Sequence, residues 1–94
     1  METHTFIDSG IEYTYYLDNG KVYLGTNLNS KSAVSREING TLYIPSYFTS
    51  NGIRYTITAL SCFSFYYTKL NSIIVPSSVS IIMHGSFEYA IYLE

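Results

Sequence analysis

The chain has 94 residues, of which 13% are charged, and a formal net charge of −2. That length holds one domain, and that charge gives no basic footprint for nucleic acid or an anionic membrane. Sixteen residues are aromatic, eleven of them tyrosine, and with the supply of Thr, Ile and Ser this favours strands over helices. No apolar run is long enough to span a bilayer. The start, Met1 to Phe6, has neither a basic nor an apolar signal region, so no secretory signal is read in the chain as given. Cys62 is the only cysteine, which excludes an internal disulfide but leaves the compartment open.

In chain order, the first strong local signal spans residues 11–26. Two strand-like runs, Ile11 to Leu17 and Lys21 to Leu24, flank Asn19-Gly20. Asn-Gly suits a type I′ turn because both central positions need a positive φ. A two-residue loop there sets Leu17 opposite Val22, Tyr15 opposite Leu24 and Tyr13 opposite Thr26. The other face pairs Tyr16 with Tyr23 and Asp18 with Lys21, which puts Tyr16 and Tyr23 on the outside. Thr26 to Arg36 is polar and reads as a loop. Thr41 to Ile44 is a short strand ended by Pro45, since proline cannot donate to a ladder. Asn51-Gly52 then predicts a second hairpin with Phe48 opposite Tyr55.

A period follows. Ile57-Thr-Ala-Leu60 aligns with Val79-Ser-Ile-Ile82, and Ser64-Phe65 aligns with Ser86-Phe87, both at an offset of 22. Tyr67 aligns with Tyr89 at the same offset, and Leu70 aligns with Leu93 at an offset of 23. Pro45 and Pro76 each close a strand of one pattern. They are spaced more widely than this period because the Asn51-Gly52 hairpin is inserted between them. From Leu70 to Phe87 the apolar anchors fit a short strand, a corner and a return path. The period lies in the leucine-rich-repeat range of about 20–29 residues.

At Leu70, Ile73, Val75, Pro76, Val79, Ile82, Ser86, Phe87 and Tyr89 the chain resembles the BspA-like leucine-rich repeat family. Tyrosine stands where that pattern usually has cysteine after the Phe, and serine where it usually has alanine before it. The resemblance covers residues 40–94 well and 5–39 loosely. It implies a mostly β fold: an N-terminal β-hairpin capping region over 1–39 leads into the start of a repeat solenoid over 40–94. That solenoid would have short parallel strands and short turns or helical turns on the return side. It also implies a cell-surface or secreted location and adhesion to host matrix or cell-surface proteins. Because coils bury their flanks against neighbours, the expectation is an array continuing beyond Glu94 or truncated there. Its open C-terminal end would favour self-association.

Function is expected to be non-catalytic protein binding; a spacer array without a dedicated ligand is the alternative. Tyrosine abundance fits either a binding surface or half-buried strand positions, and the second reading is taken for Tyr13, Tyr15, Tyr55 and Tyr67. His4, His84 and Cys62 lack metal-ligand spacing, although Cys62 and His84 are aligned by the repeat. A Cys–His nucleophile would lack an orienting Asn or Asp, and the acidic residues make no catalytic pair. No cofactor or metal is therefore expected. Asn39-Gly40-Thr41 matches the glycosylation acceptor pattern, which matters only in a secreted chain. If Pro45 and Pro76 are equivalent, Leu42 and Ile44 point inward with Ile73 and Val75. The strand period of two then sets Thr41 beside Ser72 and Tyr43 beside Ile74 on the solvent side. These four are the candidate binding residues, on parallel strands about 4.8 Å apart.

Overall fold

The computed structural model describes residues 2–26 and 31–87. It is mostly β, with no helix among the described residues. The strands are β1 (His4–Asp8), β2 (Ile11–Asp18), β3 (Lys21–Leu24), β4 (Asn39–Tyr43), β5 (Tyr47–Ser50), β6 (Ile53–Leu60), β7 (Lys69–Ile74) and β8 (Ile81–Ile82). The matches expected at Tyr89 and Leu93 lie outside the described residues.

Among the described residues, three two-residue hairpins build the antiparallel part. Asn19-Gly20 joins β2 to β3 and Asn51-Gly52 joins β5 to β6, with φ of 53° and 76° at the first and 52° and 78° at the second. These are the left-handed pairs that a type I′ turn demands. Tyr15 faces Leu24, Leu17 faces Val22, and Phe48 faces Tyr55, as the turns predict. The expected Tyr13–Thr26 pair does not form. Gly25 still donates to the Thr14 carbonyl, but the Thr14 amide donates to the Ala33 carbonyl instead of back to Gly25, and the ladder ends there. A third hairpin, at Ser9-Gly10, adds β1 to the edge of β2 and has no counterpart among the sequence expectations.

The rest of the pairing is parallel. β3 pairs with β6, and β6 pairs with β8, where Ala59 faces Ile81 and Leu60 faces Ile82. The sheet therefore runs β1-β2-β3-β6-β5 with β8 beside β6, and its strands come from both sides of residue 40. Thr58 is an extra residue in β6 between the pairs Val22–Ile57 and Tyr23–Ala59. Its hydroxyl donates to the Val22 carbonyl at 3.0 Å, supplying a partner where the bulge interrupts the ladder. β4 and β7 form a second, two-stranded parallel sheet.

The corner after β6 is a run of tight turns rather than a helix: Ser64, Tyr66 and Thr68 donate to the carbonyls of Ser61, Phe63 and Phe65. Further along, the chain passes beside itself. Met83 donates to the Leu60 carbonyl, and Phe65 to the Ser86 carbonyl. Serine suits these crossings. Ser61, Ser64 and Ser86 are buried, and the Ser86 hydroxyl bonds the Ser61 and Met83 carbonyls at 3.1 and 2.6 Å.

One core joins the two sheets. Tyr13, Val22, Leu24, Leu42, Ile57, Leu60, Phe65 and Leu70 are almost fully buried within it. Burying side chains of this size stabilises by about 1.5–3 kcal/mol each. Toward β1 the core is aromatic. Phe6 stacks on Tyr13 at 4.9 Å and on Phe48 at 4.1 Å, which draws the edge strands β1 and β5 toward one another.

Candidate functional site

The four candidate residues lie on the two-stranded sheet. Thr41 faces Ser72 and Tyr43 faces Ile74, in parallel register. The alternation behind this is simple. Leu42 and Ile44 are buried at 1% and 5% exposure, and Ile73 and Val75 pack on the core. Their strand neighbours must face outward. Tyr43 is 70% exposed and Ile74 47% exposed, while Thr41 is exposed and Ser72 half-buried. Asn71 is an extra residue between the pairs Gly40–Leu70 and Thr41–Ser72. The bulge keeps Ile73 and Ile74 on their proper faces after the slip.

The strip is held firmly. Ile44 donates to the Ile74 carbonyl at 3.0 Å, extending the ladder past Tyr43, and Lys69 donates to the Ile38 carbonyl at the other end. The Lys69 ammonium meets the Glu37 carboxylate at 3.0 Å on the surface. None of the four strip side chains carries a charge. The arrangement offers apolar and hydroxyl contact.

Other aromatics lie elsewhere than expected. Tyr16 is not on an outer face: it is 3% exposed, stacks on Tyr23 at 5.2 Å, and its hydroxyl meets the Ser61 hydroxyl at 2.6 Å. The hairpin by itself has an open side, but β6 extends its sheet and brings the corner after Leu60 to Tyr16. Tyr55 is half-buried on its strand as expected, while Tyr13 and Tyr15 are more deeply placed, both buried. Tyr67, by contrast, is 47% exposed in a turn with φ of 62°. The Arg36 guanidinium sits 5.5 Å from the Tyr66 ring and 5.6 Å from the Tyr67 ring. This Arg–Tyr cluster has no signal in the sequence, because its parts come from a loop and a corner that are far apart along the chain.

Burial pushes the Tyr13 hydroxyl pKa up to about 12, and the nearby Asp8 charge adds to the shift. Burial also raises Tyr15 and Tyr16. No cluster of three or more His, Cys, Asp or Glu side chains is placed to hold a metal among the described residues. Cys62 is a half-buried free thiol. His84 is exposed and edges the Phe63 ring at 6.3 Å. No helix among the described residues is long and apolar enough to cross a membrane. Comparison with known protein families, characterised proteins and solved structures finds no match to this chain.

Proposed function

We propose that this chain is a non-catalytic protein-binding module whose contact strip is Thr41, Tyr43, Ser72 and Ile74. One observation carries the reading: Tyr43 and Ile74 lie side by side on paired strands, and both stand in water. A spacer gains nothing from holding a tyrosine and an isoleucine exposed together. A binding strip does, because tyrosine gives rigid amphipathic contact area at low entropic cost.

The resemblance to BspA-like leucine-rich repeat proteins extends this proposal. Parallel strand pairs and chain passes displaced by one period support reading the chain as the start of such an array, with a surface adhesion role toward matrix or host-cell proteins. Two rungs cover far less than the roughly 800 Å² per partner of a standard interface, so affinity should grow with further rungs. Ile82, 56% exposed beside β6, is where another pass or another copy would add.

The test is Tyr43→Ser with Ile74→Ser, assayed for binding to matrix proteins and host cells with and without chelator. A folded double variant should bind at least about tenfold more weakly, since truncating two contact residues removes hot-spot contacts. Chelator should change nothing. Undiminished binding would move the site off this strip.

A further inference from the structure

A second feature lies apart from that strip, at the free edges of the larger sheet. Among the described residues β1 pairs only with β2, and β5 only with β6. In a two-residue hairpin the residues flanking the turn form a hydrogen-bonded pair, and the bonding then alternates along the strand. Asp8 and Phe6 therefore bond to β2, and Ser50 and Phe48 bond to β6. The Ile57 amide on the Ser46 carbonyl, at 2.9 Å, continues the second series. The N–H and C=O groups of Thr5 and Ile7 are thus turned outward, away from β2, and those of Tyr47 and Thr49 away from β6.

The two edges face one another. The Phe6 and Phe48 rings stack between them, and the space above is a groove of about 620 Å³ lined by β1 and β5. Counting through the sheet, β1 and β5 run antiparallel, yet they do not pair. Within the described residues the outward backbone groups have no partner. An unpaired edge of this kind is a template for another strand. Ile7, 71% exposed, stands on the β1 lip, and Tyr47, 44% exposed, on the other.

The two lips are not equivalent. Pro45, at the start of the β5 lip, has no N–H to donate, and the Tyr47 ring is already covered by the Arg54 guanidinium at 3.8 Å. On the β1 lip, Asp8 is the one charged side chain lining the groove among the described residues. Its hydrogen bond is to its neighbour Ser9, at 3.4 Å, and it has no ion pair among the described residues. Glu12 is exposed on β2 directly beside Ile7. Unpaired backbone calls for a polypeptide, and an acidic lip calls for a cationic one.

We propose that an extended segment of a partner protein, with lysine or arginine alternating with apolar residues, adds as a strand to the outer edge of β1. Its backbone bonds Thr5 and Ile7, its apolar side chains cover Ile7 and the mouth of the groove, and a cation meets Asp8. Main-chain bonding supplies affinity and the side-chain contacts supply selectivity, as in strand addition generally.

The test uses the full chain and a short synthetic peptide of alternating valine and lysine, with amide NMR shifts and hydrogen exchange as readouts. The lysine peptide should shift and protect Thr5 and Ile7. Methylating its backbone nitrogens should weaken binding by about tenfold or more, because each methyl removes a donor to the edge. A valine–glutamate peptide should bind about tenfold more weakly, and Asp8→Asn or high salt should narrow that gap. The Tyr43→Ser, Ile74→Ser variant should bind the lysine peptide normally, which separates this site from the strip. Equal binding by the methylated peptide, or shifts confined to other strands, would overturn the proposal. So would protection of Thr5 and Ile7 that needs no peptide and rises with protein concentration, because the occupant would then be a second copy.

Discussion

Phe65 and Phe87 stack face to face across successive passes of the chain, with centroids 5.9 Å apart and ring planes 10° from parallel. The amide of Phe65 donates to the Ser86 carbonyl at 2.7 Å, so backbone and side chain hold the same register. The two rings differ in surroundings: Phe65 is fully buried, whereas Phe87 is half-buried. Phe65→Ala should therefore cost roughly 3–5 kcal/mol, a large share of a small domain's stability. Phe87→Ala should cost clearly less. Urea denaturation of both variants checks this, and a Phe65→Ala variant melting like the parent would show that the stack carries little.

The contact between Tyr16 and Ser61 ties the first hairpin to the corner after β6, across most of the larger sheet's sequence. Tyr16→Phe keeps the packing and strands the Ser61 hydroxyl, and Ser61→Ala strands the tyrosine hydroxyl. Each should cost about 1–2 kcal/mol, while the double variant should cost less than the sum, because no buried group is then left unpaired. A double-mutant cycle by chemical denaturation measures the coupling. Strict additivity would mean that the hydroxyls do not interact in solution.

Tyrosine ionisation should limit stability at high pH. Burial raises the pKa of Tyr13 from 10.0 to about 12, so the fold favours the neutral phenol. A raised folded value contributes stability that is fully present below pH 10. That contribution is lost as pH rises through about 12. Tyr15 and Tyr16 are shifted the same way and add to the slope. Stability should be flat near neutrality and fall from pH 10 upward, which urea denaturation across that range measures. Tyr13→Phe should flatten the slope. It should cost little at neutral pH, because the Tyr13 hydroxyl is buried without a partner among the described residues.

The hairpins at Asn19-Gly20 and Asn51-Gly52 are legible because a local rule sets them: two adjacent positive φ values need those residue types. Ser9-Gly10 makes the same turn, but serine at φ of 51° is a poorer signal, so β1 and its groove go unread in the sequence. The strip residues are legible through alternation and the two prolines. The pairing of β3 with β6 is not, because strand period says which face is buried and not which distant strand lies alongside. That one gap misplaces Tyr16. The Asn71 bulge is hidden for a related reason, since only the partner strand reveals an extra residue.

Gly25 marks the place where the first hairpin leaves its sheet and meets the corner after β6. Its φ is 124°, and a Cβ there would lie 3.1 Å from the Ser61 Cβ and 3.3 Å from the Ser64 Cβ. Both serines are buried, so neither can swing into solvent. Gly25→Ala should combine backbone strain with a clash and cost on the order of 2–4 kcal/mol. Gly40, with φ of 79° and open space around its would-be Cβ, is the control. Gly40→Ala carries backbone strain alone and should cost about 1–2 kcal/mol. Thermal or urea melts of the two variants decide the matter. Equal costs would show that the corner yields to a methyl group, and that the close packing of Gly25 on Ser61 and Ser64 does not fix how the hairpin sits on β6.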